Sequence, residues 1–92
     1  MKLLYEPVAA KRLASLQPKA ARKMRDRLEA IAVDPFAAHA NVERLKGEVD
    51  TFRLRQGDWR AVYWIDRTAS EMRVLKIGPR GEVYGRGAQI IS

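Results

Sequence analysis

Three arginines, Arg53, Arg55 and Arg60, flank the dipeptide Gly57-Asp58 in the segment FRLRQGDWRAVY, and their spacing suits phosphate chemistry. Gly-Asp is a two-residue hairpin connection. When it closes a turn, Gln56 pairs with Trp59, Arg55 with Arg60 and Arg53 with Val62. Side chains alternate between the faces of a strand, so the three arginines share one surface. Phe52, Leu54, Ala61 and Tyr63 share the other and are core candidates. Like charges placed directly across a sheet destabilise it by ~0.2–1 kcal/mol per pair. A structural scaffold has no reason to accept that repulsion, whereas a surface that binds phosphates does.

Arg80 and Tyr84 follow in the segment GPRGEVY, just beyond a third strand. Loops at strand ends commonly bring functional groups beside a rigid sheet. Together the five residues predict a concave cationic site holding one phenol. Such a site could cleave RNA without a metal: the 2′-OH attacks the adjacent phosphate while arginines position it and neutralise the charge that builds up. Tyr84 is the candidate proton acceptor. A free tyrosine titrates near ~10, and neighbouring cations favour its phenolate. Arginine, with a pKa above ~12, is a poor proton donor. Arg80 is therefore read first as a charge stabiliser and second as a proton donor to the leaving 5′ oxygen.

The elements that must position these groups are legible along the chain. Lys2–Tyr5 is a short apolar run suited to an edge strand. Pro7 opens a helix that runs to about Leu16, and Gln17-Pro18 breaks it. A second helix spans Pro18 to Val33, with Ala21, Met24, Leu28 and Ile31 on one face. Lys19, Lys23, Asp26 and Arg27 lie opposite, a basic face expected first as a solubility surface and secondarily as a contact for ribosomal RNA backbone. Asp34-Pro35 ends this helix. Val42–Gly47 is an extended approach to the sheet. Strands follow near Asp50–Gln56, Trp59–Asp66 and Glu71–Ile77, and Gly78-Pro79 stops the last. Alternation along it puts Leu75 and Ile77 on one face and Met72, Val74 and Lys76 on the other. The order is a strand, two helices and an antiparallel meander, which predicts an α+β fold with the helices on one sheet face.

Length and composition bound the rest. Ninety-two residues suit one domain, 1–92. The chain has no cysteine and one histidine, His39, so thiol catalysis is excluded and neither a metal site nor a cofactor is expected. No apolar run reaches membrane-spanning length, and the N-terminus lacks a signal-peptide core, which predicts a cytoplasmic protein. The net charge of +7 favours a polyanionic partner, nucleic acid before an anionic membrane.

The segments LKG (Leu45–Gly47), FRLRQGDWRAVY (Phe52–Tyr63) and VLKIGPRGEVY (Val74–Tyr84) resemble the RelE branch of the RelE/ParE toxin superfamily. The likeness spans nearly the whole chain, because the first strand and helical hairpin also suit that fold. It implies the toxin of a type II toxin–antitoxin pair, a ribosome-dependent endoribonuclease that cuts mRNA and is neutralised by a cognate antitoxin. Its partners would be that antitoxin, the ribosome and mRNA, with operator DNA met only through the antitoxin complex and no membrane. By position, Arg53, Arg55, Arg60, Arg80 and Tyr84 match the family's catalytic residues. Lys46, Trp64, Lys76 and Arg86 are the accompanying RNA-binding candidates. Arg53 and Arg55 stand where the best-known member has lysines, which moves the base role towards Tyr84. The Glu/His acid–base pair of related toxins fits poorly, since His39 lies in the wrong segment.

Plainer roles stand beside these. The arginines could form a solvated strand face paired with Glu48, Asp50 or Glu71. Trp64 could pack beneath the antitoxin or the C-terminal tail, and Tyr84 could simply pack its ring. Trp59 is expected in the core or at the hairpin end. The rival functional reading is a ParE-type toxin of the same fold, which poisons DNA gyrase without nuclease chemistry.

Overall fold

The computed structural model describes the backbone of residues 1–84 and 89–91 and the side chains of residues 1–81. The chain runs β1 (Lys2–Tyr5), α1 (Pro7–Ser15), α2 (Pro18–Val33), β2 (Val42–Arg44), β3 (Thr51–Gln56), β4 (Trp59–Asp66), β5 (Glu71–Pro79), β6 (Glu82–Tyr84) and β7 (Gln89–Ile91). Both helices begin on proline, whose missing N–H lies where an intrahelical partner is absent anyway. Pro18 and Pro35 then separate each helix from what precedes or follows it. Among the described residues no helix is long and apolar enough to cross a membrane.

Five strands form a mixed sheet in the order β1-β5-β4-β3-β2, and β6 pairs with β7 in a separate ribbon. The meander expected from the sequence is its centre. The edge strand β1 adds to β5 in parallel, Lys2 opposite Glu71 and Tyr5 opposite Val74. A parallel neighbour needs a long crossover, and the helical hairpin supplies the first part of it. Glu6 N–H donates to the carbonyl of Val74 at 2.9 Å, fastening the turn into α1 onto the sheet.

The helices cover one face. Leu13, Met24, Leu28 and Ile31 pack against Leu54, Ala61, Tyr63, Ile65, Met72, Val74 and Ile77 in one buried cluster. Phe52 and Tyr63, directly paired across β3 and β4, stack with ring centroids 5.4 Å apart. Trp59 packs against the edge of the same core. On the opposite face Leu45, Val62 and Leu75 form a second, small apolar cluster.

That cluster corrects the face assignment of the third strand. Val62 pairs with Lys76 but Tyr63 pairs with Val74, so Leu75 is an extra residue in β5. A β-bulge of this kind breaks strict alternation. Met72, Val74 and Ile77 consequently share the core face, whereas Leu75 and Lys76 both belong to the arginine face.

Tyr63 is fully buried, and its hydroxyl has no hydrogen-bond partner among the described residues. Burial pushes its phenol up to about 12 against a smaller opposing effect of Arg27, which removes it from acid–base chemistry. A buried hydroxyl left unpaired is costly. Tyr63→Phe is therefore expected to stabilise the protein by about 1 kcal/mol, read as a raised denaturation midpoint.

Candidate functional site

The hairpin forms in the register expected from its turn. Gln56 faces Trp59, Arg55 faces Arg60 and Arg53 faces Val62. Gly57 takes φ +61°, at the position a type II′ turn reserves for glycine. The backbone N–H of Arg80 donates to the carbonyl of Asp58 at 3.0 Å. This bond holds the start of the β5–β6 turn against the tip of the β3–β4 hairpin. The two segments that carry the arginines are thereby fastened together.

The electrostatics accord with that arrangement. The Arg60 guanidinium is pulled below its ordinary value, first by burial and then by Arg55 and Arg80, with Asp58 opposing. Arg53 is lowered by burial, then by Arg55 and Arg60. Four guanidinium groups thus repel one another across one small surface. An anion bound among them would relieve that repulsion.

They do not play equal parts. Arg60 is only 7% exposed. Its Nη1 donates to the carbonyls of Gly57 (2.7 Å) and Trp59 (2.9 Å), bracing the turn from beneath. Its Nε has no partner among the described residues. Arg55 and Arg80 are exposed and Arg53 is half-buried.

A carboxylate that the sequence reading missed joins the cluster. Glu43, on β2 opposite Arg53, forms ion pairs with Arg53 and with Arg55, the latter at 3.3 Å. Of the acidic partners expected there, Asp50 and Glu71 are engaged elsewhere. Asp50 holds Arg44 and Arg67, and Glu71 holds Arg73. Nothing in local spacing marks Glu43; the signal would have been the pairing of β2 with β3.

The other candidates fall as follows. Trp64 is half-buried opposite Thr51, on the arginine face by alternation. Lys76 reaches that face through the bulge, opposite Val62. Lys46 is exposed and follows Leu45, which packs on Val62. Tyr84 closes β6, but its side chain lies outside the described residues, as does Arg86. His39 accompanies Asp34 in the loop after α2, its Nε2 2.7 Å from the Asp34 carbonyl oxygen. Among the described residues no group of His, Cys, Asp or Glu side chains is placed to hold a metal ion.

A separate network clamps the far end of the sheet. Asp50, buried and at φ +49°, receives Arg67 through Nε (2.7 Å) and Nη2 (3.1 Å) and Arg44 through Nη2 (3.0 Å). The Arg67 guanidinium also lies 4.1 Å from the centre of the Phe36 ring. The hydrogen bond from Arg67 is the main reason that the Asp50 carboxyl titrates below its usual range, against an opposing effect of burial. A carboxyl whose folded pKa lies below its unfolded value stabilises the protein above the unfolded value, ~3.9, and loses that contribution as pH falls through the folded one. Asp50→Asn, which keeps a side chain that tolerates positive φ, is expected to lower Tm at neutral pH. The gap to the parent should close on acidification below about pH 4, as thermal melts across pH will read.

A helical hairpin packed on one face of a five-stranded mixed sheet matches the fold of solved RelE-like structures. The toxin of the archaeal RelE–RelB complex from Pyrococcus horikoshii superposes with a TM-score of 0.75 at 25% identity, over 88% of this chain and 96% of that one. The match to the intact E. coli RelBE toxin–antitoxin complex has a TM-score of 0.74 at 22% identity, over 88% and 98%. The YoeB/ParE toxin from Agrobacterium tumefaciens gives 0.71 at 20% identity, over 86% and 98%. A comparison with curated protein sequences yields no match. The family model of the ParE toxin of the type II toxin–antitoxin system, parDE, matches residues 3–84, and this chain belongs to that family, within the RelE/ParE toxin superfamily.

Proposed function

We propose that this toxin is an mRNA endoribonuclease that acts on the translating ribosome. The observation that carries the reading is the gathering of Arg53, Arg55, Arg60 and Arg80 around the tip of one hairpin, with the Glu43 carboxylate among them. In this reaction the RNA 2′-oxygen bonds to the adjacent phosphorus and the P–O5′ bond breaks. The products are a 2′,3′-cyclic phosphate and a free 5′-hydroxyl end. Arg55 and Arg80 face the phosphate and take up its developing charge. Arg60 acts from beneath by bracing the turn. Glu43 accepts the 2′-OH proton, with Tyr84 the other residue suited to that step, and water supplies the proton for the leaving oxygen. The ribosome would hold the message in the geometry of attack, so free RNA should be cut slowly.

A cognate antitoxin with an acidic, amphipathic segment would neutralise this surface, its carboxylates meeting the arginines. The RelE relatives crystallised with RelB partners support that part of the reading.

The family model, described for ParE toxins, favours a second reading: a gyrase poison with no nuclease step. Induction in cells separates the two. The nuclease reading expects rapid arrest of translation and new 5′ ends inside translated messages by primer extension. Filamentation with DNA damage and intact messages would establish the gyrase reading instead.

A further inference from the structure

The hairpin tip has two sides, and the arginines occupy one. On the other, a cleft of about 490 Å³ opens between the start of α2 and the tip, lined by Lys19, Lys23, Gln56, Asp58 and Trp59 among others. That volume lies within the range of small-ligand sites, ~300–1,000 Å³. Lys19 and Lys23 are four residues apart on α2, hence neighbours on one helix surface. Both are exposed, and neither pairs with a carboxylate among the described residues. Trp59 is half-buried and packs against the core, so its indole is held in place while it lines the cleft.

We infer that this cleft binds one nucleotide of a single-stranded RNA that continues from the arginine face around the hairpin tip. The base stacks on Trp59, the flanking phosphates meet Lys19 and Lys23, and Gln56 and Asp58 hydrogen-bond the base edge. Two contacts tie the turn to the arginine side. Arg60 Nη1 donates to the Gly57 carbonyl at 2.7 Å, and the Arg80 N–H donates to the Asp58 carbonyl at 3.0 Å. The same Gly57-Asp58 pair lines the cleft. A fixed aromatic platform beside cations is how proteins bind single strands without strict sequence preference. An acidic peptide fits less well. Its carboxylates would meet Asp58, whereas a base presents amino groups for Asp58 to accept.

The inference rests on the arginine face being an RNA site, and the test separates the two. Binding of a short 2′-O-methyl oligoribonucleotide, which cannot be cut because its attacking hydroxyl is blocked, is followed by fluorescence anisotropy across a range of salt. Each phosphate contact on a single strand contributes about 0.7 to the slope of log K against log salt. The double variant Lys19→Gln/Lys23→Gln, on an exposed helix surface that does not support the core, should flatten the slope by about 1.4. Trp59→Leu, which keeps an apolar group against the core, should weaken binding about 5- to 150-fold. If Arg55→Gln weakens binding while the lysine variant keeps the parent slope, the cleft inference is overturned and the arginine reading stands. If the parent binds no oligonucleotide, the cleft inference falls, and the nuclease reading is judged separately by cutting on programmed ribosomes. If the lysine variant loses affinity for a polyglutamate peptide and none for RNA, the cleft is a protein-docking surface and the inference is wrong.

Discussion

Arg80→Ala is expected to cut message on programmed ribosomes about 10²–10³-fold more slowly than the parent, the usual effect of removing one preorganised group that stabilises transition-state charge. The substitution is clean for a structural reason. Arg80 anchors the β5–β6 turn through its backbone N–H, not its guanidinium, so alanine keeps the bond to Asp58. Arg80 also repels Arg60 in the resting protein. Removing it should leave thermal stability unchanged or slightly raised, even as cutting collapses. This opposition of stability and activity separates a group that serves substrate from one that serves the fold. Primer extension and a thermal melt on the same preparation read both quantities, and undiminished cutting would remove Arg80 from the site.

Glu43→Gln should split kcat from KM. The carboxylate pairs with Arg53 and Arg55, so in the resting toxin it occupies cations that the proposed RNA substrate would use. Glutamine keeps the shape and removes the charge. Substrate should then bind more tightly at low salt, lowering KM, because no internal anion competes for the guanidinium groups. The same change removes the proton acceptor proposed for the 2′-OH, and general-base contributions are about 10²–10⁴-fold in rate. The expected result is a lower KM together with a kcat reduced by that factor, measured in single-turnover and steady-state cleavage on ribosomes. An unchanged kcat would move proton acceptance away from Glu43 and leave Tyr84 to carry it.

Much of the fold was legible because local physics dominated there. Proline at both helix starts, the spacing of Met24, Leu28 and Ile31, and the Gly-Asp turn each act over a few residues. The register of the hairpin, with Arg55 opposite Arg60, was readable for the same reason: a two-residue turn fixes every pair above it. Where one extra residue intervened, the same logic failed. Nothing in the composition of MRVLKI announces that Leu75 is a bulge. Alternation therefore grouped Lys76 with Met72 and Val74, and Leu75 with Ile77, groupings that the pairing of β5 with β4 breaks.

The chain alone determined that three arginines share one surface, that helices cover the other, and that the net charge is +7. These follow from turn chemistry, helical periodicity and charge counting, which need no knowledge of distant contacts. Only the tertiary structure decided that Arg80 is fastened to the same hairpin tip, that Arg60 is buried as a brace, and that Glu43 sits among the guanidinium groups. Each of these depends on strands brought side by side across many residues of chain. Such neighbours are chosen by the packing of the whole sheet and not by local spacing.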